Sequence, residues 1–364
     1  MSAFLARSGR PEAATRTLCY DRTMPVRSLI ALLLGLAAIG CDDAPAPGPE
    51  PAAPVAVGSL VAAPWPVAER GGVRFLTGGH LYGRPGIGPA RPASTFVEAE
   101  ERIRAHPAEC LVLLGDCFYQ AREPEMTATL ARLESLGRPV FNAVGNHDLA
   151  PDPEVYRRRF GPTWSSFDRG PARFLILDSE DGAGAMSEAQ LAFAEAAIDG
   201  ALADERIRTL LVFMHKTLFA DALRTVSLSL ASNDPNAHLG IAARHPEGLP
   251  FRRRVRPLLE RAARGLEVAL FAGDVGAFPS RWGFWADREP STGIATYACG
   301  LGDTPRDGLL DVTVAADGRV TVAIFPLGAA PPASREARGA AAWTEEFFPG
   351  GFDETVRDYL DPDR

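Results

Sequence analysis

Short apolar segments recur through the middle of this sequence, and each is followed within two residues by a glycine or a polar residue. They are four or five residues long and rich in Val, Leu, Ile and Phe, as is typical of strands buried on both faces of a sheet. A chain with this pattern is expected to fold around buried sheet. The segments are Val73–Leu76, Cys110–Leu114, Val140–Val144, Phe174–Leu177, Leu210–Met214 and Val268–Phe271.

Helical patterns occupy the intervals between these segments. Ser187 and Gln190, three residues apart, have the spacing of a helix-capping box. Strands that alternate with helices predict an α/β core. After Gly293 strand follows strand, which predicts an antiparallel sheet at the end of the domain. The predicted helices are Thr95–His106, Glu125–Leu136, Ser187–Leu202 and Pro257–Ala263, and the late strands are Ile294–Ala298, Leu309–Val314 and Val320–Phe325.

Polar motifs stand at the ends of the predicted strands. Ligands of α/β folds gather at the carboxyl ends of strands, so these motifs are expected to share one edge of the domain. Taken singly, Gly-Asp and Gly-Asn pairs are also ordinary turn formers, and a histidine can be a satisfied core residue. In chain order the motifs are Gly78-Gly79-His80, Gly115-Asp116, Gly145-Asn146-His147-Asp148, His215 and Gly273-Asp274-Val275-Gly276.

The order of these motifs resembles the calcineurin-like metallophosphoesterase family, whose pattern is D-x-H, G-D, G-N-H-[DE], a strand-end His and G-H-x-H. The most specific match is Gly145-Asn146-His147-Asp148, about thirty residues after Gly115-Asp116. The resemblance covers roughly residues 70–325. It implies a four-layer α/β/β/α sandwich with a mixed sheet core.

The resemblance also implies a metal site with a mixed nitrogen and oxygen shell. Asp116 would bridge two cations, and such shells suit Mn, Fe or Zn, with one or two ions per chain. His147 would stand over the phosphoryl group and protonate the leaving oxygen, while Asp148 would orient its ring. The expected ligands are His80, Asp116, Asn146, His215 and Asp274.

Two departures from the family pattern weaken the first metal position. Gly78 replaces the first aspartate, and Gly273-Asp274-Val275-Gly276 replaces G-H-x-H. Because two close dications repel unless carboxylates neutralise them, we expect a single tightly held ion, or a second ion that is weakly bound or supplied by the substrate.

A replacement ligand could come from the segment Thr217–Pro250, which otherwise reads as a solvated insertion. Its candidates are Asp234, His238 and His245. Cys117 is expected to be a buried cysteine, with a thiolate ligand as the alternative.

The start of the chain resembles an export signal. Arg27 precedes the apolar run Leu29–Ile39, which is too short to span a membrane comfortably, and Cys41 follows a lipobox-like Ala38-Ile39-Gly40. We therefore expect a signal region 1–40, lipidation at Cys41, a Pro/Ala-rich linker 41–68, a domain 69–328 and a tail 329–364. The alternative is an ordinary cleaved signal, and translation could begin at Met24.

These features predict a metal-dependent phosphoesterase outside the cytoplasm, a cell-membrane lipoprotein facing the periplasm or the exterior. Its substrate would be a phosphomonoester or a phosphodiester. The alternative is a degenerate lipoprotein that binds a phosphate-bearing ligand or a protein partner through the same pocket, and a weaker one is a structural module without a site. The net charge of −8 argues against a nucleic-acid partner. The sequence contains no C-x-x-C pair, which excludes a zinc ribbon or thioredoxin motif.

Overall fold

The computed structural model describes residues 59–63, 71–84, 92–184, 186–221, 233, 251–276 and 283–328. The chain divides into units Met1–Pro51 and Ala52–Arg364, and every described residue belongs to the second. Within these ranges no helix is long and apolar enough to cross a membrane. Several predicted features lie outside the described residues: the signal region, Cys41, the tail, Asp234, His238 and His245.

The first sheet has the strand order β1-β4-β3-β2-β11-β12. Strands β2, β3 and β4 run parallel, while β1, β11 and β12 join them in antiparallel pairs. Its strands are β1 Ser59–Val61, β2 Val73–Gly78, β3 Cys110–Leu113, β4 Val140–Asn142, β11 Gly308–Val314 and β12 Val320–Pro326.

The second sheet has the order β5-β6-β7-β8-β10-β9, with parallel pairing from β6 to β10 and an antiparallel strand at each edge. Its central strands are buried throughout, which is why they read as continuous apolar runs. Its strands are β5 Ser165–Arg169, β6 Ala172–Ile176, β7 Thr209–Met214, β8 Glu267–Ala272, β9 Phe284–Arg288 and β10 Ala295–Cys299.

Helices cover the outer face of each sheet. On the first sheet lie α1 (Ser94–Ala105), α2 (Glu123–Ser135) and α3 (Pro153–Phe160), and on the second lie α4 (Glu188–Ala203) and α5 (Arg256–Ala262), which a π-helical turn precedes. A third core fills the space between the sheets. The predicted four-layer α/β/β/α sandwich with mixed sheets is therefore confirmed.

Aromatic rings hold the two sheets together. Phe75 of the first sheet meets the edges of Phe174, Phe213 and Phe271 of the second, with ring centroids 5.2, 5.7 and 6.1 Å away. Within the second sheet, Phe213 stacks on Phe174 and on Phe271. The inter-sheet distance, and with it the spacing of loops at the sheet edges, is set by this packing.

Two sequence predictions about organisation were wrong. Strand β1 lies inside the predicted linker 41–68, because Leu60 and Val61 are buried against the first sheet. The late strands do not form one antiparallel sheet. Strand β10 pairs in parallel with β8 of the second sheet, whereas β11 and β12 complete the first. Helix α3, which Asp152 caps by accepting from the Glu154 amide, was not predicted.

Candidate metal centre

The ends of four strands, two from each sheet, deliver side chains to one place. His80 follows β2, Asp116 follows β3, His215 follows β7 and Asp274 follows β8. All four residues are at most 2% exposed. The His80 amide donates to the Gly115 carbonyl, and the Asp274 amide donates to the His215 carbonyl, so the loops are joined within each sheet. The structure thus gathers four of the five predicted metal ligands.

Glycines make the close approach of these loops possible. A Cβ on Gly115 would lie 2.5 Å from His215 Nδ1, and a Cβ on Gly145 would lie 2.3 Å from Asp116 Oδ1. His80 and Asp116 themselves adopt left-handed backbone angles, with φ of 55° and 56°. Strained non-glycine residues of this kind cluster at functional sites, where the surrounding structure holds them in place.

The side-chain atoms of the centre face one another at short range. His80 Nε2 lies 3.4 Å from Asp116 Oδ2 and 3.6 Å from Asp274 Oδ1. His215 Nε2 lies 3.5 Å from Asp116 Oδ1 and 3.9 Å from Asp274 Oδ1. The ligand atoms of His80, Asp116 and His215 all lie within 4.8 Å of one another.

The tautomer of His215 is fixed by its surroundings. Its Nδ1 lies 2.8 Å from the Leu114 carbonyl oxygen, which can only accept, so Nδ1 carries the proton. Burial lowers the pKa of His215 to about 3, so the ring is neutral at physiological pH. Its Nε2 therefore presents a lone pair towards two carboxylates, and among the described residues it has no hydrogen-bond partner. A cation between these atoms would satisfy all of them.

The two carboxylates respond differently to burial. Burial raises the pKa of Asp116 to about 8, although the charge of His80 acts against it. Burial also acts to raise the pKa of Asp274, but hydrogen bonding to His80 and the charges of His215 and Lys216 outweigh it and lower that pKa. Without a cation, Asp116 therefore retains a proton near neutral pH while Asp274 is ionised.

This donor set fits a divalent transition metal. Two imidazole nitrogens and two carboxylate oxygens make a mixed shell of the kind used for Mn, Fe or Zn. His80 is further engaged by Asn233, whose Nδ2 lies 2.6 Å from His80 Nε2 and whose backbone amide donates to the Asp274 carbonyl. Asn233 belongs to the segment Thr217–Pro250, which was predicted to be a solvated insertion with a replacement ligand as the alternative.

His147 lies beside the centre, partly exposed. Its backbone amide donates to Asp116 Oδ1 over 3.0 Å, and its Nδ1 donates to the Tyr119 carbonyl over 2.9 Å. The ring stacks on Tyr119 and packs against Tyr82, which also meets the edge of His80. Because Nδ1 is occupied, Nε2 is the ring nitrogen that can exchange a proton with a ligand.

The predicted role of Asp148 was wrong. Its carboxylate does not orient the His147 ring, which the Tyr119 carbonyl holds instead. It is fully buried and accepts hydrogen bonds from the loops after β3 and β4, and so positions Asp116 indirectly. Five donors lie 2.8 to 3.0 Å from it: the amides of Asp116, Cys117, Phe118 and Gly145 and the Asn142 side chain.

Asn146 is placed differently from the four gathered ligands. It is exposed, and its Oδ1 lies 3.5 Å from Lys216 Nζ. Lys216 and its partner Glu180 were not among the predicted site residues, because neither belongs to the metal-binding motifs at the strand ends. The signal was present, since Lys216 directly follows His215 at a strand end. Cys117 is a buried cysteine, as expected, and its Sγ contacts Asn142 Oδ1 at 3.1 Å.

No family model matches the chain, and no curated protein matches it either. Among solved structures, a purple acid phosphatase from yellow lupin aligns with a TM-score of 0.48 and 14% identity, over 73% of this chain and 53% of that one. A Haemophilus influenzae NAD nucleotidase aligns with a TM-score of 0.37 and 10% identity, over 80% of this chain and 66% of that one. The chain thus spans about half of the first and about two thirds of the second.

A cold-active protein-tyrosine phosphatase of a psychrophilic Shewanella aligns with a TM-score of 0.26 and 9% identity, over 69% of this chain and 80% of that one. With TM-scores below 0.5, these likenesses assign neither a substrate nor site residues to this chain. The chemistry that the centre can support follows from its own residues.

The contribution of the buried Asp148 carboxylate to stability can be tested by the substitution Asp148→Asn. The amide nitrogen would face backbone donors, so the free energy of unfolding should fall by about 3 kcal/mol. Urea denaturation measures the change. Asp152→Asn is the matched control, because Asn and Asp cap helices equally well and little change is expected there. Full stability with reduced activity alone would restore the predicted ring-orienting role.

The proton on Asp116 should make metal binding pH-dependent. A cation must displace that proton below pH about 8, so apparent Mn²⁺ affinity should rise about tenfold per pH unit up to that value and then level off. His215 adds no proton in this range, because its pKa is about 3. Calorimetry in two buffers of different ionisation enthalpy measures the affinity and the released proton. Equal affinities at pH 6 and pH 8 would contradict the assignment.

Proposed function

We propose that this chain is a calcineurin-like metallophosphoesterase that hydrolyses a phosphomonoester or phosphodiester with one tightly held divalent cation. The observation that carries the proposal is the buried Nε2 lone pair of His215, which has no hydrogen-bond partner among the described residues and faces the carboxyl groups of Asp116 and Asp274 at 3.5 and 3.9 Å. In a buried site, a nitrogen lone pair and negatively charged carboxylates repel one another unless a cation lies between them. Turn formation or core packing does not explain such an arrangement.

The residues that would hold the cation are His80, Asp116, His215 and Asp274. When bound, it would supply Lewis-acid chemistry, drawing charge from a phosphoryl oxygen and making water a better nucleophile. The Leu114 carbonyl orients the His215 ring, and Asp148 fixes the loop that carries Asp116. Outer contacts of this kind hold ligands in the geometry that binding requires.

His147 is suited to handle the proton of the leaving group. The Tyr119 carbonyl holds Nδ1, and the backbone of His147 is joined to Asp116, so its Nε2 is presented at a fixed distance from the centre. A proton delivered from Nε2 to the leaving oxygen would complete the hydrolysis. The partly exposed Tyr119 ring offers an apolar surface beside that position.

One observation favours the alternative of a phosphate-binding protein without catalysis. The two glycines that depart from the family pattern cannot simply regain ligands. A Cβ on Gly78 would lie 2.7 Å from Leu309 Cδ2, and a Cβ on Gly276 would lie 2.4 Å from the Gly300 carbonyl oxygen. Turnover would therefore have to come from the remaining ligands.

Activity decides between the two candidates. The Mn²⁺-loaded protein should hydrolyse p-nitrophenyl phosphate or bis-p-nitrophenyl phosphate, and Asp116→Ala should abolish turnover together with metal binding. His147→Ala should keep the metal and lose about 100- to 10,000-fold in kcat, the range for a general acid. His106→Ala is the matched control, because His106 contacts Arg74 and Asp311 away from the centre. A metal-loaded protein with no turnover above Asp116→Ala would refute catalysis and favour the binding protein.

We further propose that Cys41 carries a lipid that anchors the domain outside the cytoplasm. The support is the lipobox-like Ala38-Ile39-Gly40-Cys41 after a short apolar run. In a Gram-negative host, the full chain should partition with membranes, and Cys41→Ser should move it to the soluble fraction. Membrane association that persists in Cys41→Ser would contradict the anchor.

A further inference from the structure

The chain contains a single lysine, Lys216, and its other basic side chains are arginines, with Lys and Arg totalling 38. That lysine directly follows the candidate ligand His215 and is only 4% exposed. Lysine and arginine are not interchangeable, because an ammonium is a compact point charge whereas a guanidinium is a wide planar fork. A compact positive charge is therefore placed beside the metal centre of a chain that uses arginine everywhere else.

The Lys216 ammonium is held in a defined place. Its Nζ lies 3.3 Å from Glu180 Oε1 and 3.5 Å from Asn146 Oδ1, and the Lys216 backbone amide donates to Ser179 Oγ over 2.9 Å. Glu180 and Asn146 thus fix the position of the ammonium beside His215.

Among the described residues, the positions that the family pattern uses for a second divalent cation offer it little. The amide oxygen of Asn146, which the family resemblance assigns to a metal, lies 3.5 Å from the Lys216 ammonium. Gly78 and Gly276 carry no side chain, and a Cβ at these positions would lie 2.7 Å from Leu309 Cδ2 and 2.4 Å from the Gly300 carbonyl oxygen. A second dication close to the first would be repelled both by that ion and by Lys216.

We propose that the Lys216 ammonium takes the place of a second metal ion, so that the centre holds one divalent cation and grips a phosphoryl group between this cation and a fixed ammonium. This inference rests on the proposed function, because it assumes a phosphate ligand. Asn146 and Glu180 keep the ammonium at the rim, and an arriving phosphoryl oxygen would take a hydrogen bond from Nζ. The alternative is a purely structural role, in which Lys216 and Glu180 form a buried ion pair that stabilises the loop after β7.

The test uses the full chain, stripped of metal and reloaded with excess Mn²⁺. Elemental analysis after desalting should give one Mn per chain, and calorimetry should show inorganic phosphate binding to that form. Lys216→Met should keep the Mn and weaken phosphate binding about tenfold to a hundredfold, the range for one hydrogen bond to a charged group. Lys216→Arg should restore part of that affinity. Arg206→Met, which removes an 84% exposed charge, is the charge-matched control and should change little.

Removal of the ammonium could leave Glu180 unpaired and harm folding. The double variant Lys216→Met/Glu180→Gln removes both charges of the pair, and it should fold and show the same loss of phosphate affinity. Two Mn per wild-type chain, or unchanged phosphate affinity in a folded Lys216 variant, would overturn the inference. Unchanged phosphate affinity with full turnover would leave the proposed function intact, whereas two Mn per chain with full turnover would leave the proposed hydrolysis intact and change only the number of cations. If the wild-type chain binds one Mn and its phosphate affinity depends on Lys216, but it shows no turnover, then catalysis is refuted and the inference stands.

Discussion

A cluster of four buried polar side chains at the meeting point of the two sheets is the constraint on which this molecule depends. The ring nitrogens of His80 and His215 lie 3.4 to 3.9 Å from the carboxylate oxygens of Asp116 and Asp274, and His215 Nε2 has no hydrogen-bond partner among the described residues. Neighbouring groups hold this cluster in place. The Leu114 carbonyl sets the His215 tautomer, and Asp148 binds the backbone beneath Asp116. A fold carrying such an arrangement without a use for it would be less stable than one with an apolar edge.

The charge of the centre bears on the proposal that it holds one cation and not two. Asp116 and Asp274 together carry two negative charges when both are ionised, which one dication neutralises. Lys216 then adds a positive charge that Glu180 balances at 3.3 Å. A second dication would leave the pocket strongly positive, with no carboxylate beside Gly78 or Gly276 to offset it. On this proposal, the two glycines and the lysine together fit the site to one cation.

Much of the fold was predictable, because the central strands are buried on both faces and their apolar runs leave little ambiguity. Strands at sheet edges were missed where one face is partly exposed, as in Ser165–Arg169 and Phe284–Arg288. The short strand Ser59–Val61 was hidden in a Pro- and Ala-rich stretch. Strand partners were harder still, because the pairing of Ala295–Cys299 with the second sheet depends on contacts far apart in sequence.

The same contrast holds at the metal centre. Strand-end position, residue type and the family resemblance pointed to His80, Asp116, His215 and Asp274, whose side chains the structure brings together. The role of Asp148 was not predictable, because it depends on which backbone amides turn towards its carboxylate. Lys216 was overlooked although it is the single lysine, since a positive side chain is not a metal ligand and only its distance to Asn146 and Glu180 reveals its place.

Because each sheet contributes two of the four ligands, the cation would cross-link the two halves of the sandwich. His80 and Asp116 belong to one sheet, and His215 and Asp274 belong to the other, while the Phe75 contacts are the apolar counterpart of this link deeper in the interior. Separation of the sheets would have to break coordination bonds as well as ring packing. The metal-bound protein would then unfold slowly, and release of the metal would be coupled to separation of the two sheets.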